Sequence, residues 1–208
     1  MEFKFGGSEE NQKTVLGHPA GLFVLFFTEM WERFSYYGMR ALLVLFLTAS
    51  LLEEGWAWER SDALTLYGFY TGLVYLTPIL GGLLADKLFG YRKAVVLGAL
   101  IMTLGHASMA IETPVFFYLG LTGLILGNGL FKPNISSIVG NLYKSQGKEK
   151  DAGYTIFYMG INAGAFLGIL LCGYLGEKVG WAYGFGLAGI FMLLGMLQFQ
   201  YAQKIFGD

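Results

Sequence analysis

Cysteine is almost absent: Cys172 stands alone among 208 residues. A single thiol excludes an intramolecular disulfide and leaves the compartment open. Charge is scarce as well, at 14% of residues, and the two signs cancel to a formal net charge of −1. That balance gives no electrostatic footprint for nucleic acid. So few charges would also leave the surface of a soluble domain of this size poorly solvated. Histidine occurs only at His18, near the edge of the first apolar stretch, and at His106. No Cys/His/Asp grouping falls within the apolar stretches, so no metal site and no nucleophile–base pair for a membrane-embedded enzyme is expected. Residues 1–17 are polar and carry Glu2, Lys4, Glu9, Glu10 and Lys13, with no apolar run and no small-residue cleavage site. No cleavable signal peptide is expected, and 1–17 is read as a cytoplasmic N-terminal segment.

What the chain does contain is apolar bulk: 55% hydrophobic residues, 17% aromatics and 31 glycines. Residues 18–208 read as a six-helix transmembrane bundle, with helices at about 20–49, 62–85, 93–111, 115–141, 151–176 and 181–204. The fold class expected is therefore an all-α membrane protein in a lipid bilayer. Pro19 and Pro114 sit at helix starts, where proline is tolerated. Ser61 reads as an N-cap with Asp62 in the first turn. Trp56 and Trp58, between the first two helices, suit a membrane interface. Assigning alternate loops to opposite sides puts Lys4, Lys13, Lys87, Arg92, Lys93, Lys144, Lys148, Lys150 and Lys204 on one side and only Arg60 and Lys178 on the other. The excess of Lys and Arg predicts both termini in the cytoplasm. Gly160, Gly164 and Gly168 recur every four residues and predict close helix approach; Gly68/Gly72 and Gly123/Gly127 repeat the device.

The first helix breaks the apolar pattern. Glu29, Glu32, Arg33 and Arg40 lie between two apolar runs, deep enough that each charge costs at least about 2.5 kcal/mol unless it faces protein or water. Glu29, Glu32, Arg33, Tyr36 and Arg40 share one helical face about 100° wide. That face is the expected wall of a polar cavity. Lys132, beside Pro133 on the fourth helix, is the third buried cation. Glu29 and Glu32 can answer Arg33 and Lys132, which leaves Arg40 for an anionic ligand or a carboxylate from elsewhere. His106, in an apolar helix, is expected to be neutral or satisfied.

The turn Gly81-Gly-Leu-Leu-Ala-Asp86-Lys87-Leu-Phe-Gly90-Tyr-Arg92-Lys93 resembles the loop between helices 2 and 3 of the major facilitator superfamily, with Gly82, Asp86, Gly90 and Arg92 as its motif positions. Within that superfamily, Glu29-x-x-Glu32-Arg33-Phe-x-Tyr36-Tyr37 resembles the motif of the proton-dependent oligopeptide transporters. Gly127-Asn-Gly-Leu-Phe-Lys132-Pro133-Asn134 and Phe157-Tyr158-x-x-Ile161-Asn162-x-Gly164-Ala165 agree with it.

The resemblance implies symport of di- and tripeptides with protons by alternating access between two six-helix bundles, in the cytoplasmic membrane if the source is bacterial. It makes Glu29, Glu32, Arg33 and Lys132 the proton-linked cluster, with the proton as coupling ion and no other cofactor. It places Arg40, Tyr36, Tyr37, Tyr75, Lys132, Tyr158 and Asn162 on the peptide pocket. The family's second, C-terminal bundle is absent from this chain, which reads as an N-terminal half. The same scaffold moving another anion, such as nitrate or an organic acid, is the alternative.

Overall fold

The computed structural model describes residues 14–143 and 147–206. Lys4, Lys13 and Lys144 of the charge count lie outside them. Long apolar stretches bounded by Pro, Gly and charged turns fold here as six α-helices: α1 (Ala20–Thr48), α2 (Arg60–Leu84), α3 (Tyr91–Met109), α4 (Pro114–Asn141), α5 (Lys148–Lys178) and α6 (Trp181–Ala202). A short hairpin of β1 (Thr14–Val15) and β2 (His18–Pro19) precedes α1. Leu16 and Gly17 turn it with φ of 51° and 78°, the positive pair that a two-residue hairpin requires. The sequence reading contained no strand; two residues a side are too few to show alternation.

Among the described residues, four helices are long and apolar enough to cross a bilayer: α2 with its extension to Leu88, α4, α5 and α6. For α1 the obstacle is composition, since every eighteen-residue stretch of it holds at least three charges. The shorter α3 spends its first turn on Arg92 and Lys93 and carries His106. The outer faces are apolar, with Phe69, Leu76, Ile79, Phe166 and Leu170 more than half exposed. Hydrophobic side chains left outside in such numbers mark surfaces that meet lipid or another apolar protein face.

α1 is the most enclosed element, packed between α5 and α6 on one side and α2 and α4 on the other; α3 fills in against α4 and α6. The seam with α5 depends on missing side chains. A Cβ at Gly164 would lie 2.2 Å from the Met30 carbonyl oxygen, and one at Gly168 equally close to that of Phe34. Small residues allow such backbone approach in a membrane. Gly127 meets α3 in the same way. Gly68 and Gly72 do not behave so: nothing lies within 4 Å of either missing Cβ. They open outward, because α2 turns its other face to α1 and α4, and the packing read from their spacing is not made among the described residues.

The Ser61 cap is also not formed. α2 begins at Arg60 after Glu59, which makes no side-chain cap; Ser61 already lies inside the helix, and its carbonyl accepts from Thr65 Oγ1 at 2.8 Å. Prolines sit within α2 (Pro78) and α4 (Pro133), each removing one ladder hydrogen bond. Nearby side chains supply polar contacts across and along these helices: Asn134 Nδ2 donates to Leu130 O at 2.6 Å and Thr77 Oγ1 to Ile125 O at 3.0 Å. α2 runs into a π-helical turn at Ala85–Phe89, and a single residue, Gly90 with φ of 73°, turns the chain into α3.

Candidate charge cluster and tyrosine wall

Glu29, Glu32 and Arg33 arise from one turn of α1, and the enclosure of that helix buries all three. Arg33 is the hub. Its Nε lies 3.2 Å from Glu29 Oε1 and pairs with Glu32 Oε2, while its second guanidinium nitrogen donates to Glu32 Oε1 at 2.7 Å. The fork geometry of arginine permits this bidentate hold. α4 completes the cluster from across the interface. Lys132 Nζ pairs with Glu29 Oε1, and Asn128 Nδ2, one turn earlier, donates to Glu32 Oε1 at 3.1 Å.

The two carboxylates end up unequal. Glu32 receives three donors on its two oxygens. Glu29 has both of its cations on Oε1, and its Oε2 is buried without a hydrogen-bond partner among the described residues. Lys132 keeps 30% of its side chain exposed, so it links the buried carboxylate to the outside.

Arg40 lies two turns further along α1, half-buried, and makes no ion pair among the described residues. It donates through Nε to the Tyr67 hydroxyl at 2.9 Å, and a second guanidinium nitrogen reaches the same oxygen. Its guanidinium carbon sits 5.3, 5.6 and 5.1 Å from the ring centres of Tyr36, Tyr37 and Tyr67. Arg33 stands 4.7 Å from the Tyr36 ring, so that one ring lies between two cations. Aromatic faces attract guanidinium at these separations but do not neutralise it.

The structure thus brings Glu29, Glu32, Arg33, Tyr36, Tyr37, Arg40 and Lys132 together at the junction of α1, α2 and α4. Tyr75, Tyr158 and Asn162 lie on exposed faces of α2 and α5, Tyr75 being 70% and Tyr158 58% exposed, and Tyr75 is close enough to Tyr36 to act on it electrostatically. In the α2–α3 turn Gly82 is half-buried, Asp86 and Gly90 are exposed, and an Arg92 guanidinium nitrogen donates to Gln203 O at 3.4 Å beyond the end of α6. His106 is fully buried beside Gly189 of α6, and neither ring nitrogen has a hydrogen-bond partner among the described residues. Asn128 and Tyr67 were not picked out from sequence. Asn128 lies one helical turn from Lys132, and Tyr67 one turn from Tyr70 on the face that α2 buries, so helical spacing was the available signal.

An ion-pair cluster inside an apolar helical bundle defines a multi-pass integral membrane protein. Residues 92–208 match the POT family, and the chain belongs to that family. The Yersinia enterocolitica peptide transporter YePEPT is 44% identical over 191 residues, covering 90% of this chain and 37% of that protein. A di-/tripeptide transporter of Lactococcus lactis subsp. cremoris is 41% identical over 199 residues, covering 93% and 40%. The crystal structure of a peptide transporter POT in complex with sulfate superimposes with a TM-score of 0.90 at 46% identity, over 94% of this chain and 40% of that one. The chain therefore spans about 40% of the length of the proteins it matches.

Proposed function

We propose that this chain is the N-terminal bundle of a proton-coupled di- and tripeptide symporter of the cytoplasmic membrane. All six helices span, both termini are cytoplasmic, and a C-terminal bundle supplies the opposite wall. The α2–α3 turn, with Gly82, Asp86, Gly90 and Arg92, is its cytoplasmic loop motif. Arg40 and Lys132 take the peptide carboxylate, and Tyr36, Tyr37, Tyr75, Tyr158 and Asn162 line the path on this side.

One observation carries the proton step: Glu29 is buried with one oxygen bare and the other held by the partly exposed Lys132. A peptide carboxylate that engages Lys132 draws this cation off Glu29. A carboxylate that loses an opposite charge favours its protonated form. The proton lands on Glu29 rather than Glu32, because Glu32 retains Arg33 and Asn128. Proton and peptide then favour each other's binding, and linkage makes the effect reciprocal. Neutral Glu29 no longer tethers α4 to α1, which frees the loaded carrier to reorient.

Glu29→Gln in the full-length protein mimics the protonated state. Proton-driven accumulation of a dipeptide in proteoliposomes is expected to vanish, while peptide counterflow, which needs no net proton movement, persists. A folded Glu29→Gln protein that still concentrates peptide as the wild type does would refute this reading.

A further inference from the structure

α4 and α5 follow each other in the chain yet pack mainly on different partners, α4 on α2 and α3, α5 on α1 and α6. Where the chain passes from one to the other, they meet through tyrosines seated over glycines. A Cβ on Gly153 of α5 would collide with the hydroxyl of Tyr143, which lies just beyond the end of α4. In return, a Cβ on Gly140 of α4 would lie 2.9 Å from the hydroxyl of Tyr154, which donates to Ser136 O at 3.3 Å. Each side supplies a tyrosine and the bare backbone that receives the other's.

The Tyr143 hydroxyl has a further partner. It shares a 2.8 Å hydrogen bond with His18 Nδ1, from the hairpin strand that leads through Pro19 into α1. The two rings meet edge to face, with 6.1 Å between their centres. The bond can form with His18 in either charge state, because a neutral ring nitrogen accepts from a hydroxyl and a protonated one donates to it. One phenol therefore ties the start of α1, the end of α4 and the start of α5.

This clasp and the charge cluster join the same two helices. His18 stands eleven residues before Glu29, and Tyr143 eleven residues after Lys132, so the clasp lies roughly 16 Å from the ion pair along both chains. Breaking the Lys132–Glu29 pair alone leaves α4 fastened to α1 at this end. The fastening is of a kind that comes undone. His18, Tyr143 and Tyr154 are half-buried, a hydroxyl leaves a glycine socket by side-chain rotation, and water can take over its hydrogen bond. The α1–α5 seam, where backbone meets backbone, has no such freedom.

We propose that the clasp of His18, Tyr143 and Tyr154 is a second lock on α4: it holds the cytoplasmic ends of α1, α4 and α5 together in the arrangement seen here and opens in each transport cycle. This rests on the symport reading above, which puts this end in the cytoplasm.

The test is to fix the lock shut. In the full-length protein, with any exposed cysteine of the remaining chain replaced by serine, His18→Cys and Tyr143→Cys are combined and joined by a short bis-methanethiosulfonate, a link that reductant removes. The native Cys172 is buried and stays out of reach. In proteoliposomes, dipeptide counterflow is expected to stop on crosslinking and to return on reduction, while the crosslinked protein still binds dipeptide. Each single variant, treated alike, should keep its counterflow. Gly140→Cys with Tyr154→Cys sets the same lock across the other socket and should act in the same way. A crosslinked protein that carries peptide as fast as the reduced one would overturn the proposal, because a joint that stays shut through the cycle belongs to the scaffold. So would failure of both pairs to fold before any crosslink, which would mark the contacts as structural. If the wild type itself shows no dipeptide counterflow, the transport reading fails. If the wild type carries dipeptide and the crosslink changes nothing, only the clasp fails.

Discussion

Toward α5, α1 presents the carbonyl oxygens of Phe26, Met30 and Phe34 to Gly160, Gly164 and Gly168; toward α2 and α4 it presents Glu29, Glu32, Arg33 and Arg40. The first side is held by shape, and its backbones are too close to admit a side chain. The second is held across helices by the Lys132–Glu29 ion pair and the Asn128–Glu32 and Arg40–Tyr67 hydrogen bonds, whose members can separate. One helix thus carries a permanent seam and a breakable one. The charged side repeats the contrast on a smaller scale. Arg33 is enclosed by two carboxylates, whereas Arg40 meets only tyrosines. A cation held by a hydroxyl and ring faces can be taken over by an incoming carboxylate; one held by two carboxylates cannot.

The largest effect is expected from breaking the permanent seam. Gly164→Val places a branched side chain where even a Cβ lies 2.2 Å from the Met30 carbonyl. Backbone cannot yield as a side-chain tip can, so α1 and α5 must part, at a cost of about 3 kcal/mol. Thermal unfolding of the purified protein should show a melting temperature lower by several degrees. A smaller and more selective effect should follow at Arg40. Arg40→Ala should raise the Kd for free dipeptides roughly tenfold to a hundredfold, as loss of a charge-assisted hydrogen bond does. The Kd for C-terminally amidated dipeptides should change little. Equal losses for both ligands would make Arg40 structural. The smallest effect belongs to the glycine that touches nothing. Gly72→Ala should leave stability unchanged or raise it by up to about 1 kcal/mol, the helix-propensity difference. A clear loss of stability in the full-length protein would mean that a further bundle fills the open groove beside Gly68 and Gly72.

The helices were legible because each apolar stretch is bounded by Pro, Gly or charge, and their bounds moved by only a few residues on folding. The charge stripe on α1 was legible for the same reason that it is costly: it interrupts an apolar run. Pairing between helices was less legible. Charge counting marked Arg40 as surplus but could not select Tyr67 as its neighbour, since that contact depends on how the α1–α2 loop folds back. Nor could it separate Glu29 from Glu32, whose difference lies in an Asn128 contributed by α4. The glycine spacing was the most ambiguous signal. The same four-residue interval lines a tight seam on α5 and an open groove on α2, because spacing records the face of a helix and not what stands opposite.

The charges on α1 also bear on how the protein is made. No eighteen-residue stretch of α1 is free of at least three charged side chains, so a translocon reading it alone meets a segment that partitions poorly into lipid. The lysine that answers Glu29 lies 103 residues downstream. It leaves the ribosome only after α2, α3 and much of α4 have been synthesised. Glu29 therefore meets its cation from another helix only once α4 has been made.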